Sequence, residues 1–481
     1  MERGLAFSND EWFYKLENTP NYLLLKKSNT HMAITKTNEG LKRVVGVPGL
    51  ALAIVNGVIG AGIFALPAIV GIAMGAFGIF SYIFCSIMLA AIMLCYAEIG
   101  SRVTTSGGSY AYVEAAFGNF AGYIINWLFF FGWGVLGSAA LMNIIVDSLA
   151  VLFPVFSNPV LRAVFIFALI GFMVWINVRG VKQGIGFVKG IAIIKLLPLV
   201  ALIIFGISKV KMANLQWEHI PTLKTFGDTA LVLFFAFAGF ETSLGVSGEF
   251  KNPKRTVPLG IFLGGITVLV VYMLIQMVTQ GILGAQIAAF KDAPLAAVAE
   301  KIVGPLGATI LLFTAAISCF GSVSADVMAT PRSLFAGAND GMFPRFLGKV
   351  HPKFATPHLA VITYASLIFI FAISGGFKQL AVLASAAILL IYLAVILSTI
   401  KLRIKKQDDA EKTFKVPGGL LIPFIGIASI IWLLSSLSKW EIFSTLIFIA
   451  GVCVIYIVMK KLQKEKITTH QADIILQMKK T

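Results

Sequence analysis

The sequence predicts an all-α polytopic membrane protein of about 12 transmembrane helices. Three observations predict it. The chain of 481 residues is 58% hydrophobic, with a mean hydropathy of +0.89, more apolar than a soluble core requires. Its apolar residues gather into twelve runs: 47–74, 76–98, 118–150, 160–178, 184–207, 226–248, 257–283, 305–331, 357–376, 379–400, 419–438 and 441–459. Each is long enough to cross about 30 Å of hydrocarbon. Finally, with the N-terminus placed in the cytoplasm, 30 of the 39 Lys and Arg fall on or near the cytoplasmic side (Lys189 at a run end included), eight on or near the outer side (Arg162 included) and one, Lys195, deep within a run. The positive-inside rule then puts both termini in the cytoplasm. The net charge of +17 is thus an orientation signal, and nothing in its distribution points to nucleic acid.

Residues 1–46 are polar and mixed, without a cleavable signal pattern, and read as a cytoplasmic tail. Met32, which leads directly into the first run, is an alternative start. The first run contains VNGVIGAGIFALPAI (55–69), with Gly57, Gly60, Gly62 and Pro67. A glycine costs about 1 kcal/mol in a helix interior relative to alanine. Three within six residues suit a helix that opens. In lipid, a break is tolerated only where its backbone faces protein or a watery cavity. A half-helix starting near Gly62 would aim bare N–H groups at that cavity, a site for a carboxylate. The same glycines also permit close helix packing, and the run alone leaves both readings open.

The second run ends at Glu98. The following 100–118, rich in Gly, Ser and Tyr, reads as an interfacial or re-entrant helix on the cytoplasmic side, an inner-gate element or an ordinary surface helix. Run three is long enough to tilt. It carries Asn126, Ser138, Asn143 and, near its outer end, Asp147. Run five carries Lys189, close enough to the cytoplasmic end to snorkel, and Lys195, about eleven residues from either end, with Pro198 three residues on. A charge at the depth of Lys195 costs roughly 2.5–3.5 kcal/mol on insertion scales. It reads either as a group that gains and loses a proton in a working cycle or as a static charge that pins helices.

Run six, LVLFFAFAGFETSLGVSGEF (231–250), is interrupted by Gly239 and Glu241, with Gly245 and Gly248 behind them. Gly-interrupted segments at the first and sixth of twelve positions imply two five-span repeats plus two extra helices, with a binding site at the paired breaks. The expected organisation is an N-terminal tail 1–46, a first repeat 47–207, a second repeat 226–400, two additional helices 419–459 and a C-terminal tail 460–481. Glu241 is a second buried ionisable group, and Glu249 belongs to the interface. Run eight carries Ser318, Ser322, Ser324 and Asp326, then Arg332. The serines suit helix packing. Asp326 reads either as a carboxylate facing a cationic substrate group or as half of an ion pair with Lys195, Arg332 or a neighbour.

Cys85, Cys95, Cys319 and Cys453 all lie within runs, and the five histidines lie outside them or, for His358, at a run's edge, without clustering. No disulfide, metal or nucleophile–base pattern emerges, which excludes the common enzyme classes. No charged ring or filter repeat suggests a channel.

Four stretches together resemble the amino acid–polyamine–organocation (APC) superfamily of amino acid permeases, with its LeuT-type fold. They are GVIGAGIFALPA (57–68), YAEIGSRVTTSGGSYAYVEAAFG (96–118), FFAFAGFE with EFKNPKRTVPLGI (234–241, 249–261), and SCFGSV leading to NDGMFP (318–323, 339–344). The resemblance spans roughly 40–460. It implies a 5+5 inverted repeat with broken helices 1 and 6. It also implies a substrate α-carboxylate on the Ala61 and Gly62 amides, with Ile63 beside them, and an α-amino group on the carbonyls of Val58, Phe235 and Ala238. Ala61 stands where some members have serine. Glu241 resembles an acidic gate residue of arginine/agmatine-type antiporters. Lys195 is similar in place to a lysine of proton-coupled members that fills the space of a sodium ion elsewhere, which disfavours Na+. Asp326 falls where arginine antiporters have an aromatic wall, and a carboxylate there favours a basic side chain.

The expected function is therefore secondary active transport of an α-amino acid across the inner or plasma membrane by alternating access. Protons would be the coupling ion, through Lys195 and Glu241, and no cofactor is expected. The alternative is an obligate amino acid or polyamine exchanger without proton coupling. The tails are too short for a folded signalling domain of usual size, which disfavours a nutrient sensor. SCFGSV also resembles light chains of heteromeric transporters, but no outer loop has a cysteine, so no disulfide-linked subunit is expected.

Overall fold

Helices account for nearly all of the described backbone, and their ends follow the glycines and prolines. The structure, a computed structural model, describes residues 45–60, 62–103, 108–179, 185–217, 219–241, 251–339, 343–404 and 414–478. Ala61, Gly245, Gly248, Glu249 and the first 44 residues lie outside the described residues, as does the Lys189 side chain.

The first run is two helices, α1 (Val47–Val58) and α2 (Gly62–Met74). Pro48 starts α1, where its missing N–H costs no hydrogen bond. After Met74 a short 3-10 turn beginning at Gly75 leads into α3 (Ile79–Arg102). The segment after it holds a short helix, α4 (Ser109–Phe117), packed against the bundle through buried Ala111, Tyr112 and Val113. Run three is α5 (Asn119–Trp127) and α6 (Leu136–Leu152), joined through a π-helical stretch, Leu128–Val135. Such widened turns displace side chains by one position and favour functional sites. Then come α7 (Pro159–Val178), capped by the Asn158 side chain, and α8 (Ile185–Gly206).

Run six begins as α9 (Leu223–Phe234), capped by Thr222, and stops three residues past Leu231. The chain continues through α10 (Pro253–Leu283), α11 (Pro294–Val303), α12 (Pro305–Asn339), α13 (His358–Ser374), α14 (Phe377–Ile404), α15 (Leu421–Ser435) and α16 (Lys439–Met478). Among the described residues seven stretches are long and apolar enough to cross a membrane: Gly62–Arg102, Asn119–Leu152, Pro159–Val178, Arg255–Phe290, Pro305–Asn339, Phe377–Ile404 and Lys439–Lys461. Shorter apolar helices are Val47–Val58, His358–Ser374 and Leu421–Ser435. This is a multi-pass membrane protein.

Packing is closest where α1 lies along α10 and α6 along α12. Among the fully buried large side chains, Tyr82, Tyr96, Tyr272 and Tyr392 pack through ring contacts on Phe234, Phe237 and Phe240 beside the second break. α7 and α16 lie at the periphery and turn apolar side chains such as Phe167, Trp175 and Ile457 outward, as lipid requires.

One end of the bundle is tied by Glu98, which is 0% exposed. Its carboxylate accepts from Arg102 Nη2 at 2.6 Å, from Arg403 Nε at 3.0 Å and from the Val416 N–H at 2.9 Å. A second fork nitrogen of Arg403 also reaches it. Arg102 donates in turn to the Leu402 carbonyl at 3.0 Å, and the Phe414 N–H donates to Ser101 at 3.1 Å. These bonds join α3, α14 and the segment before α15. Two guanidinium groups and a backbone amide satisfy a charge that would otherwise be costly to bury.

Candidate functional site

The two breaks meet. Gly239 adopts φ +114°, a conformation that only glycine enters without strain. A Cβ there would lie 2.8 Å from the Gly57 carbonyl oxygen. Across the same contact, a Cβ on Gly62 would meet the Ala236 side chain at 2.8 Å. The glycines of the first and sixth runs thus serve both readings at once: they interrupt the helices and let the two interruptions touch. Val58, Gly62, Ile63, Phe235, Ala238 and Glu241 are all buried around this junction.

The first break frees a carbonyl. In a continuing helix the Gly60 N–H would donate to Asn56. Here it turns back to Val58 O, at 2.7 Å. The Asn56 carbonyl instead accepts from Lys195 Nζ at 2.5 Å. Lys195, on α8 and 3% exposed, is therefore bonded to the backbone of the broken helix, close to Cys319 of α12. Among the described residues no carboxylate pairs with it.

A residue that sequence reasoning passed over joins the two breaks. The Tyr272 hydroxyl of α10 lies 2.9 Å from Val58 O and 2.8 Å from Ala236 O. One phenolic proton serves one acceptor at a time, so Tyr272 sits between the breaks as a shared donor. Val58 O already holds the Gly60 N–H as well, so both its lone pairs are engaged when the Tyr272 proton points to it. A signal for Tyr272 existed. Within the seventh run, Tyr272, Gln276, Thr279 and Gln280 recur at helical spacing and are all buried, a polar stripe on an otherwise apolar helix.

Glu241 follows the second break and turns toward α14. Its Oε2 accepts from Tyr392 Oη at 2.6 Å and from the Gly239 N–H at 3.1 Å. Its Oε1 has no hydrogen bond among the described residues. Glu241 thereby holds the positive-φ glycine of its own break. Asp326 is not drawn into the junction. It accepts from Ser138 Oγ at 3.0 Å and lines a separate cavity of about 100 Å³ between the π-helical stretch and α12. Asp147, at the other end of α6, pairs with Arg162 at 2.6 Å.

A larger cavity of about 540 Å³ begins beside the breaks, at Phe64, Ala65 and Val232, and extends to Asp147, Asp228 and Lys378 at one end of the bundle. A vestibule of this size holds a small solute with water. Its floor abuts the first turn of α2, whose N-terminal amides form the anion-attracting end of a half-helix.

A family profile described as amino acid permease matches residues 45–459. The chain belongs to the amino acid permease family. It is an APC-superfamily permease, a transporter and not an enzyme. It is 27% identical over 443 residues to the serine/threonine exchanger SteT of Bacillus subtilis (strain 168), covering 88% of this chain and 98% of that protein. The branched-chain amino acid permease BcaP of the same organism is 25% identical over 445 residues, covering 88% and 94%. Its methylthioribose transporter is 28% identical over 459 residues, covering 90% and 97%. The match to the permease profile includes both breaks, Lys195, Tyr272, Asp326 and Tyr392.

Proposed function

We propose that this permease is a secondary active transporter of an α-amino acid, with its substrate site at the junction of the two breaks and with protons as the coupling ion. The observation that carries the reading is the bond from Lys195 Nζ to the Asn56 carbonyl at 2.5 Å. It connects a titratable group to the helix that must move. On this reading the chain comprises two inverted five-helix repeats, 47–207 and 226–400, followed by two further helices. Twelve spans cross the inner or plasma membrane, and both termini are cytoplasmic.

In this mechanism the substrate carboxylate accepts from the amides of Ala61 and Gly62 at the start of α2, beside Ile63. The α-amino group donates to the carbonyls of the second break, Phe235 and Ala238, and to Val58 O once Tyr272 yields it. Protonated Lys195 holds Asn56 O. Deprotonated, it loses its charge and the charge-assisted part of that bond, which is the stronger kind. Proton loss and gain then bias α1 between two positions. Substrate and proton must each bind the two positions unequally, because equal affinity for both shifts nothing. Glu241, bonded to Tyr392 and Gly239, sets the shape of the second break and is a second candidate for proton coupling. The amino acid substrate accords with the family and with the names of the serine/threonine and branched-chain relatives. The lysine at this position disfavours sodium.

A second reading is obligate exchange without proton coupling, favoured by the relative named as an exchanger. The test is uptake of labelled amino acids into proteoliposomes, with and without a proton ionophore, for the native chain and Lys195→Ala. Coupling predicts ionophore-sensitive uptake that the variant lacks. Exchange predicts uptake that ignores the ionophore and requires preloaded amino acid.

A further inference from the structure

We propose that the cavity beside Asp326 receives the cationic end of a substrate side chain, which makes lysine-like and arginine-like amino acids the preferred substrates. This rests on the reading of the junction as the amino acid site. It departs from the substrates named for the relatives above.

The cavity combines one carboxylate with an aromatic wall. Asp326 and Thr330 come from α12, the rings of Phe129, Phe130, Trp133 and Phe343 form most of the wall, and Asn126 of α5 adds one amide. Its volume of about 100 Å³ leaves room for an ammonium or guanidinium group. A carboxylate in such surroundings requires a compensating positive charge or hydrogen bonds. Asp326 has one hydroxyl donor, Ser138 Oγ at 3.0 Å, which itself lies 3.3 Å from Tyr364 Oη. The ion pairs among the described residues are Arg102–Glu98, Arg162–Asp147, Lys224–Asp228 and Arg403–Glu98, and none includes Asp326. Arg332, six residues on, is exposed. The partner that the protein does not supply is a cation, and aromatic faces attract organic cations. A hard metal ion would demand several oxygen ligands, and Asp326 is the one carboxylate in this lining.

The cavity also adjoins the junction. Trp133 lines it, and the same ring stands 5.6 Å from the ring of Phe235, a residue of the second break. A backbone-like head group held at the breaks would send a long side chain past Phe235 to Trp133 and into the cavity. The π-helical stretch makes this possible, because it carries Trp133 toward Phe235 while Gly134 and Ser138 face α12 and α13.

The test compares binding of lysine and norleucine, which differ in the terminal ammonium, to the purified full chain in detergent. The native protein is expected to bind lysine more tightly by about tenfold or more, the scale of a desolvated ion pair with aromatic contacts. Asp326→Asn should bring that ratio close to one, and Asp326→Glu should retain a preference for lysine. Trp133→Leu, which keeps an apolar wall but removes the ring face, should lower the same ratio, so the idea stays testable if Asp326→Asn does not fold. Norleucine bound as tightly as lysine by the native chain overturns this inference and leaves the amino acid site standing. An unchanged ratio in Asp326→Asn also overturns it. If no amino acid binds at all, the reading of the junction itself falls.

Discussion

Lys195 Nζ donates to the carbonyl oxygen of Asn56 at 2.5 Å, across 139 residues of sequence. The acceptor is available because the helix that would have used it ends two residues later. A buried lysine and a freed backbone acceptor thus satisfy each other at the point where the chain is interrupted. Lys195→Ala removes the donor and leaves a buried carbonyl without a partner. Proton-driven uptake should fall by more than about tenfold, the usual size of a coupling between two sites. Uptake measured at acid-outside pH, with an ionophore control, checks this.

Gly239→Ala should damage both stability and transport. The new Cβ would sit 2.8 Å from Gly57 O at φ +114°. Strain of this kind costs about 1–3 kcal/mol. Gly171→Ala is the control: it lies in α7, with nothing within 4 Å of the added carbon, and should be neutral or gain up to about 1 kcal/mol. Thermal unfolding of the two purified variants in detergent separates them.

Tyr272→Phe keeps a ring that packs edge-on to Phe237 at 5.1 Å but removes the hydroxyl shared by the two breaks. The stability loss should be about 1–2 kcal/mol, the cost of a buried acceptor left unpaired. The larger effect should be on transport, because the bond joins two segments that move apart in the proposed mechanism. A variant with normal uptake and normal affinity would show that the bridge is passive.

Glu98→Gln should be the most destabilising of these substitutions. Two guanidinium groups and the Val416 amide converge on the carboxylate. Breaking a buried pair by removing one partner costs about 3–5 kcal/mol. Asp228→Asn, which breaks the exposed pair with Lys224, should change stability by no more than about 1 kcal/mol. The denaturation midpoints of the two variants should differ accordingly.

What could be seen in the sequence was what local chemistry writes there. The apolar runs, the positive-inside bias and the glycine clusters are each contained within a few tens of residues, and helices occupy those runs. The break at Gly57–Gly62 and the one around Gly239 were legible because clustered glycines weaken an apolar helix. Their pairing follows only from their matching places in the two halves; which atoms meet, Gly239 against the Gly57 carbonyl, was not legible, since the two are far apart along the chain. Glu98 illustrates the same limit. It closes an apolar run and looks like an ordinary helix end, because its partners Arg403 and Val416 come from the far end of the sequence. Asp326 left two readings open. Among the described residues its neighbours are a serine hydroxyl and an aromatic-walled cavity, and no ion pair includes it. Tyr392, seated among apolar residues, announced nothing until its hydroxyl appeared 2.6 Å from Glu241.

Proton coupling through Lys195 is tested most directly by labelled amino acid uptake into proteoliposomes at acid-outside pH, with and without a proton ionophore. Coupling predicts uptake that collapses with the ionophore and is absent from Lys195→Ala. Uptake that ignores the ionophore, depends on preloaded amino acid and survives in Lys195→Ala would contradict it.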